Sequence, residues 1–526
     1  MTKVTKRDGR QVDFNEEKIV KAILKAFIEV DGDTSEYAYA KAGNIAQYIK
    51  KRAEEKGQLS IEEIQDLVEN GLMATKRKDV AKAYVKYREK RTKDREKNTD
   101  WMQEIFEKLE ASNVQNQNAN VDEMSFGGRK GEADSVLMKK VALEHFVPGY
   151  AAKKHVDNEI YIHDLDSYAV GQHNCLSIPF DDILAKGFNT RQMDIRPAGS
   201  INSAFQLLAV VFQLQSLQEF GGVAATHVDW TMVPYVRKSF VKHYLDGLKY
   251  FGADTKEYNK EELFNLSVED EFYKKEPAAF RYAMDMAEKE TQQAAEGMFH
   301  NLNTLQSRSG NQLPFTSINF GTCTLPEGRM VTKAILQESI KGGGKLHRTY
   351  IFPCTIFQCM KGVNRKPGDP NYDLFQLALR STSQRLYPNY ANVDWSVNKG
   401  YDINDPKTFV STMGCRTYNG ADANADEGVN PQTKDGRGNI APVTIILPTL
   451  AMKAVQNPKG EDAVEVFMKL LDENINIAKD MLIDRFWHIV EQSPDSAKFM
   501  YENNTMLGYD GKSIFSAMKH GTLAVG

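Results

Sequence analysis

The sequence GRGNIAPVTIILP at residues 436–448 joins a glycine-rich start to a continuous apolar run. The apolar part, Pro442–Pro448, has the length and composition of a strand that is buried on both faces. We expect further buried strands at three comparable apolar runs, Ile160–Ile162, Leu207–Phe212 and Tyr350–Phe357. Long amphipathic stretches alternate with these runs, at residues 229–252, 277–306 and 464–486. Alternation of this kind predicts a large α/β domain.

The N-terminal residues have a different pattern, which predicts a hairpin followed by four helices. Two short runs within residues 4–14 have strand character, and Asp8-Gly9 supplies the turn between them. Asn15 is a suitable N-cap for the first helix. Ser60 and Glu63 have the spacing of a capping box, which predicts the start of the third helix there.

The two patterns divide the chain into domains. We expect a small, mostly helical domain at residues 1–95 and an α/β domain at residues 123–526. Residues 96–122 include a stretch rich in Asn and Gln with few large apolar groups, so we expect a linker there.

Composition excludes several classes of protein. The 526 residues carry 67 Lys+Arg and 71 Asp+Glu, a net charge of −4, which argues against a chain that binds nucleic acid through its overall charge. The longest apolar run is far shorter than a membrane span, and the N-terminus lacks the apolar core of a signal peptide, so we expect a cytoplasmic protein. The five cysteines include no CxxC pair, so we expect neither a disulfide framework nor a metal site built from them.

Basic residues of the N-terminal pattern predict a polyphosphate site. Lys6 and Arg7 on the hairpin and Lys18 on the first helix would converge near a helix N-terminus, where phosphate groups bind well. From residue 3 to about 91, the sequence resembles the ATP-cone, a regulatory nucleotide-binding domain. The resemblance implies an ATP or dATP effector, bound with Mg²⁺, in a site lined by Val4, Lys6, Arg7, Asn15, Lys18 and Ile19.

The remaining chain carries seven motifs in family order: NANVDEMSFGGRKGE (118–132), YIHDLD (161–166), GQHNCLS (171–177), QEFGG (218–222), MGCR (413–416), GRGNIAPVTIILP (436–448) and KHGTLAVG (519–526). With these motifs the chain resembles the anaerobic, class III ribonucleoside-triphosphate reductases, which are glycyl radical enzymes. The resemblance implies a ten-stranded α/β barrel of the glycyl-radical-enzyme and ribonucleotide-reductase type. It also implies reduction of ribonucleoside triphosphates to deoxyribonucleoside triphosphates, under allosteric control by ATP and dATP.

The resemblance also assigns site residues. Replacing a ribose 2′-hydroxyl by hydrogen needs a radical at C3′, a proton for the leaving hydroxyl and a source of electrons, and cysteine cycles readily between thiol and thiyl. By resemblance, Cys415 is the thiyl residue that abstracts the 3′-hydrogen, and Cys175 is the second active-site cysteine. Asn439 matches the asparagine of the branch that uses formate as reductant, and Met413 matches the methionine two residues before the thiyl cysteine.

The chain departs from the family pattern near its end. The family's glycyl radical loop and its four-cysteine zinc site are absent from these 526 residues, so we expect a C-terminally truncated chain that is inactive alone. The resemblance further implies an activating enzyme with an iron–sulfur cluster and S-adenosylmethionine, and a homodimer.

Two other functions stay open at this stage. A related glycyl radical lyase would be expected to carry adjacent cysteines, and this sequence has no Cys-Cys pair. A non-catalytic nucleotide sensor, built from an ATP-cone and an inactive barrel, is the alternative from a different class of protein.

Overall fold

The computed structural model describes residues 3–6, 11–97, 100–110, 121–253, 255, 258–414, 416–457 and 460–526, the side chains of 93–97 and 100 excepted. The chain divides into two compact units, Met1–Glu104 and Ile105–Gly526. This division lies within the residues 96–122 that the sequence analysis expects to be a linker. The expected domain boundaries stay a prediction, and each unit is described by itself.

The first unit is a helical bundle with a small sheet. Its strands are β1 (Lys3–Thr5), β2 (Gln11–Asp13) and β3 (Gln58–Ser60), and its helices are α1 (Glu16–Asp31), α2 (Glu36–Lys56), α3 (Ile61–Met73) and α4 (Lys78–Lys97). The strand order is β2-β1-β3, with β1 antiparallel to β2 and parallel to β3. The hairpin strands are therefore confirmed, whereas β3 has no counterpart in the sequence prediction.

Local capping explains where these helices begin. The Asn15 side chain accepts a hydrogen bond from the Lys18 backbone at 3.1 Å and caps α1. Ser60 and Glu63 exchange side-chain and backbone hydrogen bonds, which is the predicted capping box. Apolar side chains of α1, including Ile23 and Phe27, are fully buried against the other helices. The four predicted helices are thus confirmed.

The second unit, together with the helix at the division, contains the remaining elements. The helices are α5 (Asp100–Glu110), α6 (Phe126–Val141), α7 (Gly149–Val156), α8 (Phe180–Lys186), α9 (Ile201–Gln215), α10 (Val228–Thr231), α11 (Val233–Tyr250), α12 (Lys260–Phe264), α13 (Glu271–Lys274), α14 (Pro277–Leu302), α15 (Pro326–Lys341), α16 (Tyr372–Arg385), α17 (Leu447–Val455), α18 (Ala463–Val490), α19 (Lys498–Glu502) and α20 (Phe515–Met518). The strands are β4 (Ile160–Ile162), β5 (Leu176–Ser177), β6 (Phe188–Asn189), β7 (Asp194–Ile195), β8 (Val223–Ala225), β9 (Thr316–Phe320), β10 (Cys354–Cys359), β11 (Asn389–Asn392), β12 (Asn439–Ile445) and β13 (Thr522–Val525).

A five-stranded parallel sheet forms the centre of this unit. Its order is β11-β10-β9-β8-β5, and every neighbouring pair is parallel. All five residues of β9 are buried, as expected for a strand covered on both faces. Helix α14 packs against α9, α11 and α15, and these helices share one apolar core with the sheet. The predicted α/β class is confirmed, while the ten-stranded barrel stays a prediction.

A second sheet joins the first at the edge formed by β5. Its order is β13-β12-β4, with β12 parallel to β13 and antiparallel to β4. The Cys175 and Ser177 amides donate to the Asn439 and Arg437 carbonyls at 2.9 Å each, so the start of β12 runs antiparallel beside β5. This junction brings the HNCLS and GRGN motifs together.

Four sequence predictions need correction or restriction. Leu207–Phe212 is not a strand but part of α9, in which Leu208, Val211 and Phe212 are buried on one crowded side. The predicted strand at Tyr350–Phe357 begins only at Cys354, and that at Pro442–Pro448 ends at Ile445, where α17 soon follows. Residues 111–120 of the predicted linker lie outside the described residues, whereas Asp100–Glu110 within it form α5. Among the helices described, none is both long and apolar enough to cross a bilayer.

Candidate active site

A large cavity lies where the two sheets of the second unit meet. Its volume is about 940 Å³, and strands β12 and β13, the residues just before β5, and residues 220–222 all contribute to its wall. The ionisable side chains in its lining include Glu132, Lys139, His163, Asp164, Asp166, Cys175, Arg308 and Arg416. A cavity of this size and polarity suits a small, charged organic ligand.

Cys175 is held in the cavity wall by its backbone and by a close glycine. The residue is fully buried, and its sulfur accepts a hydrogen bond from the Gly222 amide at 3.3 Å. A Cβ on Gly221 would lie 2.5 Å from the Cys175 sulfur and 2.1 Å from the Asn174 side-chain oxygen. Only glycine fits there, which gives a physical reason for the two glycines of the QEFGG motif.

Met413 meets Cys175 in the folded chain although 238 residues separate them in sequence. Cys175, Ala224 and Met413 form one buried apolar cluster. The Met413 carbonyl accepts from the Arg416 amide at 2.8 Å, and the Met413 amide donates to the Thr417 carbonyl at 2.9 Å. Arg416 has a left-handed backbone with a φ of 69°, an unusual conformation for arginine. Cys415 itself lies outside the described residues.

Two buried amides fix the segment that contains Met413 to the parallel sheet. Asn319 on β9 accepts from the Thr412 amide and donates to the Thr412 carbonyl, both at 3.1 Å. Gln358 on β10 donates to the Val410 carbonyl at 2.9 Å. These side chains replace the backbone ladder that an ordinary strand would supply. The backbone groups of Thr412 and the Val410 carbonyl are therefore bonded to side chains of the sheet.

Asn439 begins β12 next to Cys175, and its side chain has an unusual environment. It is fully buried, and its amide nitrogen and oxygen both lack a hydrogen-bond partner among the described residues. An unpartnered buried amide costs free energy, about 1–3 kcal/mol. Such a group is a candidate for contact with a ligand or an ordered water.

Buried charges surround the cavity. Burial and the neighbouring Asp166 carboxylate raise the pKa of Asp164, and burial lowers the pKa of Arg308. Burial also raises the pKa of Glu219, although His173 Nε2 lies 3.3 Å from its carboxylate. The site therefore combines acidic and basic side chains whose pKa values are shifted by burial, which is typical of functional sites.

Arg485 of α18 connects two loops at the cavity. It is fully buried, it donates to the His163 carbonyl at 2.9 Å, and its guanidinium lies 4.7 Å from the Tyr168 ring centroid and 4.9 Å from that of Phe220. This arrangement holds the loop of His163 beside the loop that carries Gly221.

Several cavity residues were missed by the sequence analysis. The Phe315 ring packs so closely against Gly414 that a Cβ there would lie 2.2 Å from the ring. Arg308 donates to the Phe220 carbonyl, and Lys139 and Arg416 supply further positive charge. Phe315 and Arg308 lie outside the recognised motifs, so only the fold identifies them. Lys139 follows the first motif and Arg416 belongs to MGCR, so a charge inspection around the motifs could have found these two.

The structure places the predicted nucleotide residues of the first unit as follows. Val4 and Ile19 are buried in its core, Lys6 is half-buried just after β1, and Lys18 is exposed in the first turn of α1. Asn15 lies directly before α1 and caps that helix. Arg7 lies outside the described residues. The described residues thus come from the hairpin and the N-terminus of one helix, and their contact with a nucleotide stays a prediction.

Among the described residues, two groups of side chains have the donor types of metal ligands. Glu296, His300 and Glu338 lie close together, and the Lys341 ammonium is 2.8 Å from Glu296 and 3.3 Å from Glu338. In the other group, His227 and Asp435 are buried and Asp181 is half-buried.

Comparisons with known proteins agree with these features. The model of the family "Anaerobic ribonucleoside-triphosphate reductase" matches residues 117–526, and that of the ATP cone domain matches residues 2–93. The chain is 32% identical over 502 residues to the anaerobic ribonucleoside-triphosphate reductase of Haemophilus influenzae, covering 95% of this chain and 65% of the relative. The enzyme of the same name from Escherichia coli is 32% identical over 485 residues, covering 92% and 62%.

A solved structure supports the fold. The anaerobic ribonucleotide reductase from Thermotoga maritima, in complex with dATP and CTP, superposes with a TM-score of 0.52 and 14% identity, covering 76% of this chain and 60% of that one. The chain spans 62–65% of the length of the two bacterial relatives above. The family resemblance expected from the sequence is confirmed. This chain therefore belongs to the anaerobic ribonucleoside-triphosphate reductase family and carries an ATP-cone domain at residues 2–93.

Proposed function

We propose that this chain supplies the substrate site and the allosteric domain of an anaerobic ribonucleotide reductase that converts ribonucleoside triphosphates to 2′-deoxyribonucleoside triphosphates. The observation that carries the proposal is the buried contact of Cys175 with Met413, two residues before Cys415, in the wall of a cavity of about 940 Å³. Distant motifs of the family thus converge on one ligand-sized space. The full activity belongs to the whole protein of the longer relatives.

The reaction assigns a role to each cysteine. A thiyl radical on Cys415 takes the hydrogen atom from C3′, which leaves a carbon radical there and a thiol on Cys415. The 2′-hydroxyl then leaves as water after gaining a proton. Cys175 donates the hydrogen atom of its thiol to the resulting intermediate. Formate supplies the two electrons, so that NTP, formate and one proton give dNTP, carbon dioxide and water. A buried site is needed because bulk water and other quenchers would intercept the radicals.

Charge in the cavity supports a triphosphate substrate. Lys139, Arg308 and Arg416 contribute cationic side chains to its lining. Guanidinium and ammonium groups bind phosphate oxygens through charge-assisted hydrogen bonds. Asn439 supports formate as the reductant, because its buried amide leaves a donor and an acceptor unused beside the Cys175 backbone.

The ATP-cone is proposed to bind ATP or dATP with Mg²⁺ through Val4, Lys6, Arg7, Asn15, Lys18 and Ile19. The α1 N-terminus and the cations of Lys6 and Lys18 suit the phosphates. The buried Val4 and Ile19 would form the apolar part of the site's wall. Binding of ATP or dATP to this domain would then control the activity of the reductase site.

Family membership supports four further proposals. The joined sheets of the second unit are part of a ten-stranded barrel, the active protein is a homodimer, and it is cytoplasmic. Its radical is installed on a glycine by an iron–sulfur activating enzyme that uses S-adenosylmethionine.

The test combines variants with 3′-tritiated substrate. With the activating enzyme and a radical-bearing C-terminal segment present, Cys415→Ser is expected to abolish tritium release, because a serine O–H bond is too strong for the exchange. Cys175→Ser should keep tritium release and lose deoxynucleotide formation. Cys354→Ser, at a buried cysteine on β10, is the control and should retain both. Tritium release by Cys415→Ser would contradict the assignment. If neither the unsubstituted chain nor any variant released tritium or formed deoxynucleotide, the result would favour the sensor alternative.

A further inference from the structure

A buried chain of polar side chains lies beside the cavity and outside its lining. His227 Nε2 is 3.1 Å from Asp181 Oδ2, and His227 Nδ1 is 2.6 Å from the Thr226 hydroxyl. The Thr226 hydroxyl in turn donates to Asp435 Oδ1. His227, Thr226 and Asp435 are each about 2% exposed. We call Asp181, His227, Thr226 and Asp435 the polar relay.

With Asp435 ionised, the hydrogen bonds of the relay fit a doubly protonated imidazole. The Thr226 hydroxyl has one proton, and it is used toward Asp435, so the hydroxyl oxygen must accept from His227 Nδ1–H. On the other side, Asp181 accepts from His227 Nε2–H. Both ring nitrogens therefore donate, which only the imidazolium can do.

The charges around the relay favour the same state. Burial lowers the pKa of His227, but the carboxylates of Asp435, Asp181 and Asp229 outweigh it and raise that pKa to about 9. Lys407, 3.5 Å from Asp181, balances the second carboxylate. Asp229 accepts hydrogen bonds from the Gly321 and Cys323 amides. Burial raises the pKa of Asp435 to about 6, so it is ionised at neutral pH.

The same residues also have the spacing of a metal site, because one oxygen of each carboxylate and one His227 nitrogen lie within 4.8 Å of one another. The shortest contacts, however, place an acceptor at each ring nitrogen: Asp181 Oδ2 is 3.1 Å from Nε2, and the Thr226 hydroxyl is 2.6 Å from Nδ1. One metal ion binds one imidazole nitrogen, whereas an imidazolium bonds at both, so these contacts favour the imidazolium.

The relay connects the three segments that form the wall at Cys175. Asp181 lies four residues after β5, Thr226 and His227 follow β8 directly, and Asp435 precedes Gly436, whose amide donates to the Ser177 carbonyl at 2.7 Å. The chain that follows Asp435 and Gly436 continues into β12, whose first residue is Asn439. These segments are already joined by backbone hydrogen bonds, and a break in the relay would remove the side-chain bonds that reinforce this junction.

We propose that the His227 imidazolium is a positioning group, which clamps the ends of β5 and β8 to the segment leading to Asn439 and so holds Cys175 in place. This inference rests on the proposed roles of Cys175 and Asn439. It predicts that His227 is protonated and that Cys175 is protected from reagents. Both properties can be measured without turnover.

The first measurement is NMR of the full chain with labelled histidine. The His227 signal is assigned by its loss in His227→Gln, and it should show an imidazolium at pH 7.5 that titrates near pH 9. Because the raised pKa means that the folded state holds this proton, the His227 contribution is expected to be present at pH 7.5 and to weaken as pH rises through about 9, whereas Asp435 loses its charge as pH falls through about 6. A neutral His227 at pH 7.5 would overturn the proposal.

The second measurement is the rate at which an alkylating reagent modifies Cys175 at pH 7.5, relative to Cys359 in the same sample, by peptide mass spectrometry. Thr226→Val removes the hydroxyl at nearly constant shape and should raise the relative rate at least about fivefold through local opening. Thr226→Ser keeps the hydroxyl and should restore the wild-type rate. Equal protection in the Val and Ser variants would contradict the clamp.

Two controls test whether the protection of Cys175 is specific to the clamp. His243→Gln removes another buried histidine, paired with Glu290 at 2.8 Å, and should leave the relative rate of Cys175 unchanged. Metal analysis of the purified chain should find no stoichiometric metal that Asp435→Asn removes. Such a metal would overturn the clamp in favour of a metal site. Neither measurement uses deoxynucleotide formation, so failure of the proposed activity would be seen separately.

Discussion

At Gly221 one missing methyl group decides the shape of the candidate active site. The backbone there passes so close to Cys175 and Asn174 that any side chain would overlap both. Cys175 is fully buried and pinned by backbone hydrogen bonds on either side, so it has little room to move away. The position of the sulfur is therefore set by the absence of a Cβ on its neighbour as much as by its own contacts.

Gly221→Ala is expected to destabilise the fold by about 1–3 kcal/mol, the usual cost of overpacking a tight site. Urea unfolding followed by circular dichroism measures this change. Gly199→Ala is the matched control, because a Cβ there meets nothing within 4 Å, and it should change stability by less than about 0.5 kcal/mol. Equal stabilities for the two variants would show that the close approach at Gly221 is wrong.

At the scale of elements, Glu159 lies directly before β4 and links three helices through its side chain. Its carboxylate lies 2.8 Å from Lys154 of α7, 2.7 Å from Lys453 of α17 and 3.1 Å from the Asn474 amide of α18. Its own backbone carbonyl accepts from Ile446 at 2.9 Å. Burial raises the pKa of Glu159, but these hydrogen bonds and charges together lower it to about 2. The ionised carboxylate is thus the form that the folded state prefers.

Glu159 should make stability depend on pH in the acid range. Because its folded pKa is lowered, its contribution is fully present above about pH 4.5 and is lost as pH falls toward 2. Glu159→Gln is expected to lower stability at pH 7 by about 3 kcal/mol and to flatten the dependence between pH 4.5 and 2. Urea unfolding at pH 7, 4.5 and 3 measures both effects.

The control for this prediction is Glu473→Gln, which removes the exposed partner of the same Lys154. An exposed ion pair contributes little, so this variant should remain within about 1 kcal/mol of wild type at each pH. A Glu159→Gln protein with the wild-type pH dependence would contradict the assigned role of the carboxylate.

At the scale of the molecule, the chain consists of two compact units, each with its own core. The first unit contains the residues expected to bind a nucleotide effector, and the second contains the cavity with Cys175. Nucleotide binding by the first unit is therefore measurable on the intact chain.

Lys6→Ala combined with Arg7→Ala should weaken binding of ATP or dATP to the full chain at least about tenfold, since each charge-assisted hydrogen bond contributes about 1.5–3 kcal/mol. Calorimetric titration in the presence of Mg²⁺ measures the change. Lys51→Ala, at an exposed lysine of α2, is the matched control and should bind as wild type. Unchanged affinity in the double variant would exclude the predicted effector site.

The amino-acid sequence by itself determined the features that depend on near neighbours. Asn15 and the Ser60–Glu63 pair predict helix starts correctly, because capping involves residues only three apart. The long helices α14 and α18 follow from amphipathic periodicity over many turns. Ordered motifs were sufficient to identify the family, since a motif records the chemistry of its residues without any knowledge of distance.

Only the tertiary structure decided what depends on contacts across the chain. Leu207–Phe212 is an apolar run of six residues, too short for its periodicity to separate a strand from a helix, and it is packing inside α9 that makes it helical. Phe315 and Arg308 line the cavity although they lie outside every recognised motif. The polar relay joins Asp181 to Asp435 over 254 positions, and Cys175 meets Met413 over 238. Such pairings exist because the sheets bring distant segments together, and local sequence carries no record of that distance.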